Sequence, residues 1–134
     1  MTVEELQAFY ESSTAPWVRA LGLRLTAVAP GDVTFELDVR AEQVHIGEVL
    51  CGQAIMAGFD TGMVFVMASL DPARMFTTVS LNSQFERAVP DRADTVTFHA
   101  WATKPGRSLV FGQIDCLLPN GNRAATATTT YMWL

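Results

Sequence analysis

Apolar and polar residues alternate in steps of two over most of the second half of this chain, which predicts long half-buried strands. Four such runs are Phe76–Glu86, Thr95–Lys104, Ser108–Leu118 and Ala124–Trp133. They are separated by Ala88-Val-Pro-Asp-Arg92, Lys104-Pro-Gly-Arg107 and Pro119-Asn-Gly-Asn122, and the Asn-Gly pair of the last marks a tight hairpin. The start of the chain follows a different period. Thr2 and Glu5 fit a capping box ahead of Leu6, Phe9 and Tyr10 on one face, so a helix is predicted over about residues 3–13. Pro16 to Leu21 adds a turn or two, ended by Gly22. Leu23–Ala29 and Val33–Val39 read as a hairpin across Pro30-Gly31-Asp32. In its second strand Val33, Phe35, Leu37 and Val39 alternate with polar neighbours.

Between these patterns lies Gly52–Leu70, apolar on every side with Asp60 as its single charge. Its length approaches a membrane span, but a carboxylate near the midpoint and the lack of a basic flank argue for a central core helix. The order is helix, two strands, long buried helix, four strands. It predicts an α+β fold, an antiparallel sheet curled round one helix, in one domain over residues 1–134.

Composition narrows the function classes. Half of the residues are hydrophobic (49%) and 17% are charged, which excludes disorder and leaves little charge to cover the exterior of a small monomer, a hint of self-association. A net charge of −5 has the wrong sign for tracking a phosphate backbone. Two cysteines, Cys51 and Cys116, make no disulfide framework. The acidic N-terminus lacks the features of a secretory signal, so the cytoplasm is the expected location.

Asp60 carries the chemistry. A carboxylate inside an apolar helix is costly unless it is hydrogen-bonded, so it is either a structural group satisfied by a neighbour or a general base or nucleophile in a dry site. At the start of the same helix, the free amides of Gly52 and Gln53 form either an ordinary loop-to-helix junction or a polariser for a carbonyl oxygen. The two features lie eight residues apart, or about 12 Å along a helix. One chain therefore cannot present both to one carbonyl, whereas two antiparallel helices can. If the protein is an enzyme, composite sites in an obligate dimer are expected.

Val49-Leu-Cys-Gly-Gln-Ala-Ile-Met-Ala-Gly-Phe-Asp-Thr-Gly62 resembles the hotdog-fold acyl-CoA thioesterases, particularly the branch related to phenylacetate-degradation thioesterases. That family has His-Gly-Gly ahead of a helix bearing Leu-Ala-Asp-Thr-Ala. The spacing matches, with Cys51 in place of the histidine and Gln53 in place of the second glycine. Thr77-Thr-Val-Ser-Leu-Asn-Ser-Gln-Phe-Glu-Arg87 and Lys104-Pro-Gly-Arg-Ser-Leu109 extend the resemblance over about residues 20–134. It implies a hotdog fold, a homodimer or dimer of dimers, and hydrolysis of an acyl-CoA without a cofactor or metal. It assigns the catalytic acid to Asp60 and the oxyanion amides to Gly52 and Gln53. Cys51 and His45 fall at positions that contact substrate in relatives. Thr61, Asn82 or Gln84 would orient the acid or water, and Lys104, Arg107 and Arg87 would meet the coenzyme A phosphates.

Other readings of the same residues are a non-catalytic acyl-thioester binding domain, a Cys51–His45 nucleophile, and an aspartic protease. The last rests on Phe59-Asp-Thr-Gly62 and Leu109-Val-Phe-Gly112. Enoyl hydration on the same fold would want a histidine in the central helix, which has none. The Lys104–Arg107 turn is equally an ordinary solvated hairpin. His99, Trp101 and Tyr131-Met-Trp-Leu134 read as packing or interface residues.

Overall fold

The computed structural model describes residues 1–134. Helix α1 covers Val3–Ser13 and a short α2 covers Pro16–Arg19. The hairpin strands are β1 (Arg24–Ala29) and β2 (Asp32–Asp38), and the long helix α3 covers Gly52–Leu70. Strands β3 (Phe76–Phe85), β4 (Thr95–Pro105), β5 (Leu109–Leu117) and β6 (Arg123–Trp133) complete the chain. The six strands form one antiparallel sheet in the order β1-β2-β4-β5-β6-β3.

Local chemistry sets these boundaries. Thr2 Oγ1 accepts from the Glu5 amide, so the N-terminal half of the predicted cap forms. Gly31 turns the first hairpin at φ +76°, and Gly121 turns the last at φ +86°, where a side chain would be strained. The connections read as loops also contain two short 3-10 turns, Ala41–Gln43 and Asp91–Ala93.

The sheet wraps α3 because one face of each inner strand is apolar. Phe35 and Phe98 stack at 5.0 Å, and Phe59 and Phe65 of α3 meet that pair edge-on. Gly58 and Gly62 let the helix approach so closely, since a Cβ at Gly58 would lie 2.5 Å from the Phe98 ring. The helix is apolar and long enough for a membrane span, yet 67% of its most apolar stretch is buried inside the chain. Both cysteines are free. Burial pushes the Cys116 thiol up to about 12, with the Asp115 charge adding to it.

One stripe of α3 stays uncovered. Gln53, Met56, Ala57, Asp60 and Val64 are exposed or half-buried, while every other residue from Ala54 to Ser69 is buried. The neighbouring β3 is an edge strand with Val79 and Phe85 half exposed. A strip of surface whose one charge is Asp60 thus runs along α3, and a second apolar group, Leu109, Phe111 and Met132, is exposed on the outer face of the sheet.

Candidate active site

Asp60 is held from the sheet. Its Oδ1 accepts from the Tyr131 hydroxyl at 2.5 Å and from Thr78 Oγ1 at 3.0 Å. The Tyr131 hydroxyl also lies 3.0 Å from the Asp60 carbonyl oxygen. Tyr131 and Thr78 are register partners on β6 and β3, so one rung of the sheet presents two hydroxyls to the helix. Oδ2 receives no hydrogen bond within the chain, which leaves one carboxylate oxygen for water or substrate.

The Tyr131 phenol is pushed well above the usual tyrosine range, first by burial and then by the Asp60 charge and hydrogen bond. Burial also raises Tyr10, the only other tyrosine. Ultraviolet titration of the native protein is therefore expected to show no tyrosine ionising near pH 10, with both appearing on unfolding. The sign follows from linkage: the stabilisation is complete below the unfolded value and is lost as pH rises through the folded one. A native phenol titrating at the ordinary value would contradict the buried contact.

Asp60 lies on the wall of a cavity of about 450 Å³ that also involves Thr61, Val64, Phe76, Phe9 and Val18. The start of α3 opens on a different hollow of about 310 Å³, lined by Gly52, Ile55, Phe85 and Arg87. The two share no lining residue. Cys51 is the N-cap in extended backbone without a side-chain bond, and the Gly52 and Gln53 amides donate to nothing in the chain. One chain thus carries the carboxylate in one hollow and a helix start with free amides in another.

The family model of the thioesterase superfamily matches residues 47–124, more than half of the chain, including α3, the hollow at its start and one wall of the cavity beside Asp60. The chain belongs to the thioesterase superfamily. Among curated proteins, none matches its sequence. Three solved structures place this superfamily member in the hotdog fold. Thioesterase HI1161 from Haemophilus influenzae has a TM-score of 0.86 at 21% identity, covering 100% of this chain and 91% of that one. The Escherichia coli PaaI protein from the phenylacetic acid degradation operon has a TM-score of 0.85 at 16% identity, covering 100% and 96%. A point mutant of the phenylacetic acid degradation protein PaaI from Thermus thermophilus has a TM-score of 0.79 at 20% identity, covering 90% and 100%. The curved six-stranded antiparallel sheet round α3 is the hotdog architecture that the sequence resemblance implies.

Other predicted site residues of this thioesterase-superfamily chain fall in several places. Thr61 lines the Asp60 cavity but does not hydrogen-bond the acid. Asn82 and Gln84 are corrected as orienting groups within the chain: paired with Thr128 and Thr126, they lie on the outer face of the sheet, away from Asp60. The hydroxyls that hydrogen-bond the Asp60 carboxylate are those of Thr78 and Tyr131. His45 is exposed, its Nδ1 accepts from the Gly47 amide, and no hydrogen bond joins it to Cys51, so no Cys–His nucleophile is assembled. Arg87 borders the Gly52 hollow, and its Nη1 donates to the Arg123 carbonyl. Lys104, near the end of β4, and Arg107, in the β4–β5 turn, are exposed and form no ion pair, at the other end of the sheet. The aspartic-protease reading is overturned, because Asp60-Thr61-Gly62 lies inside α3 and not in a loop after a strand.

Tyr131 reads as a packing aromatic in the sequence. The signal that could have found it is the inward series Ala125, Ala127, Thr129 and Tyr131, which aims a phenol at the central helix. Tyr131→Phe keeps the ring beside Phe76 and removes one donor to a charged acceptor. Its thioester kcat is expected to fall about 10- to 100-fold with KM little changed, matching ~1.5–3 kcal/mol for such a bond. An unchanged kcat would remove Tyr131 from the positioning of the acid.

Proposed function

We propose that the protein hydrolyses acyl-CoA thioesters as a homodimer with two composite sites. The observation that carries this reading is the uncovered stripe of α3. An antiparallel pair of these helices centred on Met56, which is 39% exposed, sets Asp60 of one chain opposite Gly52 of the other. The free edge of β3 offers continuous pairing in the same orientation, since an uncovered edge strand is a template for another copy. Leu109, Phe111 and Met132 on the outer face give two such dimers a surface on which to meet.

In the composite site the acyl carbonyl sits at the Gly52 and Gln53 amides, which stabilise the oxyanion. Asp60 of the partner subunit either takes a proton from water or adds directly to the carbonyl carbon. The new carbon–oxygen bond replaces the carbon–sulfur bond, and the thiolate leaves and is protonated; in the direct route water then cleaves the acyl–Asp60 anhydride, which releases the acid and regenerates the carboxylate. Both routes need the same residues and no cofactor. The antiparallel arrangement also turns the Lys104–Arg107 end of one sheet toward the Arg87 end of the other, a basic border for coenzyme A phosphates. Cys51 beside the carbonyl leaves a small side chain where relatives have histidine.

The test is thiol release from short, medium, long and aromatic acyl-CoAs, with sedimentation on the same sample. Turnover by a dimer is expected. Saturable binding without thiol release would make it an acyl-thioester binding protein instead, and an active monomer would contradict the composite site.

A further inference from the structure

The cavity beside Asp60 extends beyond the region that defines the superfamily. Its far wall is made by Phe9 of α1 and by Thr14, Ala15 and Val18 at the α1–α2 junction, all outside residues 47–124. Val64, Met75 and Phe76 form the facing apolar wall. Its volume of about 450 Å³ lies within the ~300–1,000 Å³ of small-molecule pockets, and Asp60 is its one carboxylate.

The α1–α2 wall is fastened down. Tyr10 Oη donates to the Val18 carbonyl at 2.6 Å and accepts from the Leu23 amide at 3.3 Å. Thr14 Oγ1 donates to the Tyr10 carbonyl at 2.6 Å. Gln7 bridges α1 to β1, donating to the Leu23 carbonyl and accepting from the Leu25 amide. Phe9 and Val18 therefore stand at fixed positions, half-buried against the core.

We infer that this cavity is the acyl chamber and that the α1–α2 wall sets the length of acyl group the enzyme accepts, its occupant being the uncharged aliphatic or aryl acyl portion of the thioester. The inference rests on the proposed thioesterase function. A thioester whose carbonyl is within reach of Asp60 has its acyl group on the carboxylate's own side, where the apolar wall begins. The chain beyond the carbonyl then runs between Val64 and Phe76 on one side and Phe9 and Val18 on the other. Side chains at 9 and 18 act as the stop.

The experiment compares kcat/KM for acetyl-, hexanoyl-, decanoyl- and phenylacetyl-CoA in the unaltered protein, Val18→Trp and Phe9→Ala. Val18→Trp is expected to lower the decanoyl-to-acetyl ratio at least ~10-fold, and Phe9→Ala to raise it, since even one methylene is worth about 10-fold or more in an apolar pocket. Parallel shifts across the whole series in both variants would overturn the inference while leaving the thioesterase reading intact. If the unaltered protein released thiol from no donor, that reading would fail. The chamber is then judged by calorimetric binding of the same acyl-CoAs to the Asp60→Asn protein. Affinity that rises with acyl length, and loses that dependence in Asp60→Asn/Val18→Trp, supports it; affinity independent of length overturns it.

Discussion

Asp60→Asn is expected to reduce thioester kcat by about 10²–10⁴-fold, the range contributed by a positioned acid–base group. Asparagine fills the same space, and its amide oxygen can still accept from Tyr131 and Thr78, so the sheet-to-helix contact survives. Only the ability to take a proton or to attack is lost. The melting temperature should therefore stay near that of the unaltered protein, and substrate should still bind. Steady-state kinetics with a thermal melt checks both parts. Full activity in Asp60→Asn would remove the carboxylate from the chemistry, whatever the fold.

Gly52→Pro is expected to lower kcat by about 10²–10³-fold, the cost of losing one oxyanion donor. Proline suits the first helical position, where its missing amide hydrogen has no intrahelical partner. Cys51 already has the extended backbone that precedes proline, with φ −67° and ψ 148°. A Cβ at position 52 meets only the Phe85 ring, at an ordinary 3.6 Å. The substitution thus deletes a single donor hydrogen and leaves α3 in place. Circular dichroism should be unchanged while kcat falls. An active, folded Gly52→Pro protein would mean that the carbonyl is polarised elsewhere.

Both catalytic expectations can be read from the sequence for a physical reason. A single charge in nineteen otherwise uncharged residues stands out, and the helix start is fixed by where the apolar run begins. The bounds of α3 match that reading at both ends. The residues that hold the acid cannot be read in the same way, because alternation gives the face of a strand and not its partner. Thr78 and Tyr131 meet through β3–β6 pairing, which joins segments separated by two other strands in the chain.

Asn82 and Gln84 show a second cause. Unbroken alternation from Thr78 would place both on the acid's face. The register shift between Thr78 and Ser80 inserts one residue, so everything beyond it changes sides. Leu81 and Ser83 face inward instead, paired with Thr129 and Ala127. A bulge carries no strong sequence mark here, and one extra residue is enough to turn both amides to the outer face, while Thr78 and a tyrosine on another strand hydrogen-bond Asp60.

The central claim, that acid and amides come from different chains, is tested most directly by mixing. Asp60→Asn and Gly52→Pro proteins, each strongly impaired alone, are combined, unfolded together and refolded. In a mixed dimer one site carries both defects, while the other keeps an intact Asp60 opposite an intact Gly52. Random pairing of equal amounts predicts recovery of about a quarter of the unaltered activity, since half of the dimers are mixed and half of their sites are whole. No recovery, with mixed dimers demonstrated by native mass, would contradict the account and place the whole site within one chain.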